Sequence, residues 1–503
     1  MKNKKKMLKL WVISYLCVFT LLFSSTVIYK NSINNNYSSE SIKTNQIYSE
    51  MANSIPNYVY DWNKTWGDPN GDSGRDITSD HLGNIYITGY SNYTYPNNRT
   101  YTNTLKYNSS GDIQWNRTWG EIYSGQGEAI TSDNLGNVYI TGWIDKNTTA
   151  QSDIFLLKYN SSGHLKINRT WGGESGDYGV GIVLDNSSNI YIAGYTFSYG
   201  NGLRDICLIK YNSSGYLQWN KTWGGVYDDG SRDVSIDSEE NIYIIGYTNY
   251  VSNTWDVCLL KYNSSGYLQW NKTWEGISQL LEMAICIDYL DNIYITGSDD
   301  YVGLSYAEPY LLKFNSTGNL KWNMSWAFES EYDPYDIALD SMGDIYIISE
   351  DQRYPSIGIM VTKYNSSGEL IWIDRYYDSL DEYENYRSWG ITIDEIDNIY
   401  ITGTVWNASI SSSDGFLVKY GFDSDNDNLS NDDENYIYLT ESNNPDTDGD
   451  GYEDGVEVDA GTDPNDPNDH PIENIPGYDL FLLMSILGIS VIVISLKKKI
   501  IKI

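Results

Sequence analysis

Two acidic stretches in the C-terminal part of the chain carry the residue types and spacing that hold a cation. "DSDNDNLSNDDE" at 423–434 and "DTDGDGYEDGVE" at 446–457 both place acids at the first, third, fifth and twelfth positions. In the first loop Asp423, Asp425, Asp427 and Glu434, with the main-chain carbonyl of Leu429 at the seventh position, can wrap oxygens around one hard divalent ion. In the second, Asp446, Asp448, Asp450, Asp454 and Glu457, with the carbonyl of Tyr452, can do the same. Ca²⁺ is therefore the expected cofactor. Asn428 stands where such a loop usually has Gly, so the turn of the first loop departs from the pattern. Residues 422–470 hold seventeen Asp and Glu and no Lys or Arg. Without metal so many carboxylates repel one another, and the alternative to a cation module is an acidic disordered linker.

No other motif of chemistry stands out. The three histidines, His81, His164 and His470, are scattered, and neither a nucleophile elbow nor a phosphate loop occurs. The expectation is that the chain is not an enzyme. The alternative is a membrane-anchored extracellular glycan-cleaving enzyme whose paired carboxylates come together from distant parts of the chain. A net charge of -35 argues against nucleic acid as a partner, because a phosphate backbone is met by clustered Lys and Arg. Four cysteines give no disulfide framework; Cys207 and Cys258 stand where Phe155 stands elsewhere in the pattern and read as small core residues, as does Cys286.

The elements behind these loops come from an internal repeat. "KYNSSGYLQWNKTW" occurs at 210–223 and again at 261–274, within a unit of about 52 residues. Copies of "NIYITG" start at Asn84, Asn137, Asn189, Asn241, Asn292, Asp344 and Asn398, each shortly after an Asp: Asp80, Asp133, Asp185, Asp237, Asp288, Asp340 and Asp394. Each is followed by a variant of "LLKYN" and then of "LQWNKTW", which makes four strand-like runs per unit, rich in Ile, Val, Tyr, Thr and Trp. A four-stranded unit at this period predicts an all-β, seven-bladed β-propeller of antiparallel blades over 58–421. The phase is informative. "YDWNKTWG", ending at Gly67, is only a fourth strand, whereas the last unit stops after its third, "LVKYG" at 417–421. Pairing the two closes the ring and brings Trp62 to Lys419.

The order Asp, "GNIYITG", "LLKYNSSG", "LQWNKTWGG" resembles the SBBP propeller repeats of secreted and surface proteins in bacteria and archaea, which implies the fold and no agreed activity. The acidic loops resemble thrombospondin type 3 repeats. "ENIPGYDLF" before the last apolar run resembles the archaeal PGF-CTERM sorting tail, with Tyr478 in place of Phe.

The two faces of such a ring differ. Sequons fill one: Asn108, Asn160, Asn212, Asn263, Asn315 and Asn365 in the turns before the fourth strand, and Asn63, Asn116, Asn168, Asn220, Asn271 and Asn323 on that outer strand. These twelve are the expected glycosylation sites of an extracellular chain. The alternative is that Asn simply suits turns. The opposite face carries loops of variable length with Tyr and Trp, residues that give large contact area at low entropic cost. The expected ligand-face residues there are Tyr93, Tyr95, Trp143, Tyr199, Tyr250, Trp255 and Tyr306. The seven Lys at 106, 158, 210, 261, 313, 363 and 419 repeat in every unit and read as packing residues with snorkelling stems.

Residues 1–29 form a Lys-rich start and an apolar run, a signal peptide or signal anchor, followed by a linker at 30–57. After the acidic repeats at 422–470 and a linker at 471–477, an apolar run at 478–496 reads as a transmembrane helix and 497–503 as a basic cytoplasmic tail. The expected protein is membrane-anchored on the extracellular cell surface. It would bind a glycan or protein ligand, act in adhesion, or build the envelope, on a stalk stiffened by Ca²⁺.

Overall fold

The computed structural model describes residues 58–471, except 68, 94–98, 121–123, 147–150, 252–253, 278–282, 300–307, 327–332, 352–356, 377–383 and 408–411. Two compact units are present, Met1–Phe422 and Asp423–Ile503. Among the described residues no helix is long and apolar enough to cross a membrane. Both terminal segments expected to do so lie outside the described residues.

The first unit is a ring of seven four-stranded antiparallel sheets. Blade 1 comprises the strands Asp72–Ser79, Ile85–Tyr93, Arg99–Tyr107 and Ile113–Trp119, and its successors repeat this meander. The seventh blade takes three strands from residues 384–422 and its outer strand, Tyr58–Trp66, from the other end of the described chain. Trp62 pairs with Lys419, as the phase of the repeat requires. Tyr58 at the start of this strand receives a 2.7 Å hydrogen bond from Tyr346 of blade 6.

The packing follows from the position of each strand. A third strand such as "SDIFLLKY" at 152–159 is flanked by blades on both sides and is buried at nearly every residue, so its apolar run is continuous. An outer strand alternates: in "IQWNRTW" at 113–119, Trp115 is buried between exposed neighbours. The apolar clusters form between adjacent blades, as where Tyr86 of blade 1 packs with Val138, Ile140 and Phe155 of blade 2. Cys207 and Cys258 are buried in strand three, whereas Cys286 is half-buried on the inner strand of blade 5; all three are unpaired.

The repeated Asp, Tyr and Lys form one device. Asp80 Oδ1 accepts from the main chain of Leu82 and Asn84, each at 3.0 Å, and its Oδ2 accepts from Tyr86 Oη at 2.9 Å. The Lys amines do more than pack their stems. Lys210 Nζ donates to Ser264 O at 3.0 Å and Lys261 Nζ to Ser316 O at 3.2 Å, so each reaches the "NSSG"-type turn of the next blade. In the closing blade Lys419 is buried and meets Asp61 Oδ2 at 2.8 Å.

The two sets of sequon Asn differ. Turn residues such as Asn212 and Asn263 are half-buried, with Oδ1 accepting from the backbone of Tyr216 and Tyr267. On the outer strands Asn116, Asn168, Asn220, Asn271 and Asn323 are exposed, whereas Asn63 is half-buried and donates to Tyr376 Oη at 2.6 Å.

Candidate ligand cavity and cation loops

Each blade presents one residue to the central channel at the same position, five before its repeated Asp, and the residue type varies around the ring. The seven are Arg75, Glu128, Val180, Arg232, Met283, Tyr335 and Trp389, and all line one cavity of about 270 Å³. The local cause is a β-bulge. The register of the inner strand slips between Gly74 and Asp76, between Gly127 and Ala129, and at equivalent places in blades 3, 4, 6 and 7, so an extra residue is turned toward the axis.

The second strand supplies a partner fifteen residues on, as 75 and 90 or 335 and 350. Arg75 lies over the Tyr90 ring at 5.5 Å and, across the blade boundary, over Trp389 at 4.3 Å. Glu128 accepts from Trp143 Nε1 at 3.1 Å. Arg232 lies 5.4 Å from the centre of Tyr247. Tyr335 Oη donates to Glu350 Oε2 at 2.7 Å, and Arg387 Nε reaches that oxygen at 3.2 Å. Burial and then the Glu350 charge push the Tyr335 phenol well above its ordinary value, so it rests protonated. Trp389 Nε1 donates to Thr404 Oγ1 at 3.1 Å.

The next residue along forms the cavity floor in blades 1 to 6. It is Asp in blades 1, 4 and 6 and Ala or Gly in the others, so that every Asp faces a small residue of the following blade. Asp76 bridges the gap: Oδ1 accepts from Ile77 N and Oδ2 from Ile130 N, both at 2.7 Å. Asp233 does this with Val234 and Ile285, and Asp336 with Ile337 and Ile391. Burial raises the carboxyls of Asp76 and Asp233 to about 7, against the pull of those hydrogen bonds. Asp336 is also raised, first by burial and then by the other two carboxylates.

Of the aromatic residues expected on this face, Trp143 holds Glu128, Tyr199 is exposed and packs on Trp171, and Trp255 packs on Tyr247. Tyr95 and Tyr306 lie outside the described residues, as do the side chains of Tyr93 and Tyr250. The ring of seven was missed in the sequence, although its signal was there: one aligned column in which an otherwise regular repeat changes chemistry from blade to blade.

In the second unit, ligand atoms of Asp423, Asp425 and Asp427 lie within 4.8 Å of one another, as do those of Asp446, Asp448 and Asp450. Main-chain turns shape both loops. Leu429 N donates to Asp427 Oδ1 at 2.8 Å and Tyr452 N to Asp450 Oδ1 at 2.9 Å. Left-handed backbone occurs at Asn426 and Asn428 in the first loop and at Gly449 and Gly451 in the second, so Asn supplies in one what Gly supplies in the other. Glu434 and Glu457 are wholly buried, and neither carboxylate has a hydrogen-bond donor in reach. Burial, then neighbouring Asp charges, raise them to about 8 and about 7. An all-oxygen set that is buried and lacks donors fits a hard cation such as Ca²⁺. Asp454, expected within the second loop, has an oxygen that groups with those of Asp427 and Glu434 of the first. The cause is the short helix Asp454–Ala460, whose first turn docks on Asp427.

Comparison with known proteins matches both repeat types. Residues 66–94 match the SBBP beta-propeller repeat. Residues 446–467 match the bacterial TSP3 repeat. An uncharacterized WD repeat-containing protein of Acanthamoeba polyphaga mimivirus is 22% identical over 54% of this chain, which covers 18% of that protein's length. Among solved structures, a polysaccharide lyase, an ulvan lyase, superposes with a TM-score of 0.44 at 10% identity over 70% of this chain and 97% of its own. The NanB sialidase of Streptococcus pneumoniae gives 0.41 at 10% identity, over 74% and 71%. The expectation that the chain is not an enzyme is corrected here. Polysaccharide lyases and sialidases are among the solved propellers that superpose on it, at 9–11% identity and TM-scores of 0.40–0.45.

Proposed function

We propose that the propeller takes an anionic glycan into its central cavity and cleaves it. The observation that carries this reading is the ring of seven, where a regular repeat is broken at a single level to place charges and aromatics on one cavity. Arg75 and Arg232 offer guanidinium groups to a sugar carboxylate or sulfate, and Trp389 offers a face to a sugar ring. The three floor aspartates are committed to backbone N–H groups and drawn by burial toward the neutral form, so the arginines meet less opposing charge below neutral pH.

The Tyr335–Glu350 pair is the reactive part. Glu350 stands where it can take the phenol proton, leaving Tyr335 Oη to attack an anomeric carbon, as a Tyr nucleophile does in sialidases. Glu128 from blade 2 supplies the second carboxyl: it protonates the leaving oxygen as that bond breaks, then takes a proton from the water that releases the sugar from Tyr335, whose phenolate recovers its proton from Glu350. The acidic loops would hold Ca²⁺, with Asp423, Asp425, Asp427 and Glu434 in one and Asp446, Asp448, Asp450 and Glu457 in the other. The two ions would neutralise and stiffen the second unit, which suits surface display by the apolar terminal segments.

The test is a panel of neutral, uronate-bearing, sialylated and sulfated oligosaccharides incubated with the full chain and analysed by mass spectrometry. Anionic members should be bound and shortened, neutral ones left intact. Retention without shortening would leave binding and remove the catalytic assignment; no preference for charge would remove the reading.

A further inference from the structure

Asp454 is the point at which the two acidic loops meet. Its Oδ1 accepts from Thr447 N at 2.8 Å and its Oδ2 from Thr447 Oγ1 at 2.6 Å, so its orientation is set by the second loop. Yet an oxygen of Asp454 lies within 4.8 Å of ligand atoms of both Asp427 and Glu434, and all three residues are wholly buried. Gly455 N donates to Asp427 Oδ2 at 3.0 Å, across 28 residues of sequence. The approach is so close that a β-carbon on Gly455 would stand 2.2 Å from the carbonyl oxygen of Asp427. The independent sign of a ligand is Glu434, whose two buried oxygens have no hydrogen-bond donor.

We propose that Asp454 is a ligand of the first loop's cation, lent by the second loop, so that the first site is completed only when the second loop is folded against it. The second loop keeps Asp446, Asp448, Asp450 and Glu457, a set that needs nothing from the first. Loading is therefore ordered. The second site forms by itself, its folding orients Asp454 through Thr447, and Gly455 brings that carboxylate to Asp427 and Glu434. The two sites then act as one stiffening element. The proposal rests on the loops taking a hard cation, and its test separates that premise from the coupling.

The experiment is equilibrium binding of Ca²⁺ to the full chain, with Tb³⁺ luminescence as a second probe and near-ultraviolet Trp signals to confirm that the propeller is intact. Asp454→Asn and Gly455→Ala should each weaken one ion by at least about tenfold and leave the other unchanged. Gly455→Ala retains every carboxylate, so its effect would report the docking itself. Thr447→Val, which removes only one of the two bonds that orient Asp454, should weaken the same ion by less. Asp423→Asn should weaken the first site alone, whereas Asp448→Asn should weaken both. If Gly455→Ala and Asp448→Asn left the first site at full affinity, the sites would be independent and the proposal wrong. If the unaltered chain bound neither Ca²⁺ nor Tb³⁺, the cation premise itself would fall, and the coupling with it.

Discussion

Asp76→Ala should destabilise the propeller at low pH and lose much of that effect at high pH. The carboxyl receives two backbone N–H groups, Ile77 N from its own blade and Ile130 N from the next, both at 2.7 Å. Removing it leaves two donors, each worth about 1–3 kcal/mol if nothing replaces the acceptor, so the cost is roughly 2–6 kcal/mol. The lower end is expected, since the cavity can admit water to them. Against this stands the cost of ionisation. Burial raises the carboxyl from 3.8 to about 7. The native state thus holds the proton more tightly than the unfolded chain, and the associated stabilisation is complete below the unfolded value and lost as pH rises toward 7. At about 1.36 kcal/mol per unit, the wild type loses roughly 2–3 kcal/mol between pH 5 and pH 8 that the variant does not. The assay is urea unfolding at both pH values and constant Ca²⁺, followed by Trp emission, which reports the propeller because no Trp lies beyond residue 422. A cost of substitution that stays level or grows toward pH 8 would refute the reasoning.

Arg75→Met and Arg232→Met should each weaken an anionic oligosaccharide by about 10–150-fold, the equivalent of about 1.5–3 kcal/mol for a charged hydrogen bond, and leave neutral sugars unchanged in calorimetry. The same titration in the wild type should show affinity falling from pH 6 to pH 8, as the floor aspartates ionise beside the arginines. Tyr335→Phe and Glu350→Gln should abolish product formation while the dissociation constant moves by no more than about threefold, about 0.65 kcal/mol. Asp61→Asn exchanges the ion pair with the buried Lys419 for a neutral contact where the ring closes and should cost about 1.5–3 kcal/mol in urea unfolding.

The architecture was legible because every copy of the unit carries the same packing requirement. Asp80, Tyr86 and Lys106 recur in each blade, and the incomplete units at the two ends complement each other across the closure. Residues that serve all blades alike are visible as a period. The ring of seven was hidden by the same logic, since Arg75, Val180 and Trp389 share no residue type and become equivalent only through a bulge that turns them inward. The long loops, by contrast, carry Tyr and Trp openly, as loops do in binding proteins. In the acidic loops the spacing of carboxylates was plain, but the transfer of Asp454 toward Asp427 depends on a contact between separate loops that neither sequence encodes alone.

The most direct test of the central claim is a crystal structure of the protein soaked with an acidic oligosaccharide. The account predicts its carboxylate or sulfate at the guanidinium groups of Arg75 and Arg232, with a sugar ring against Trp389 and the glycosidic bond facing Tyr335. Density for that sugar elsewhere on the ring, with the cavity filled only by water at saturating ligand, would contradict it.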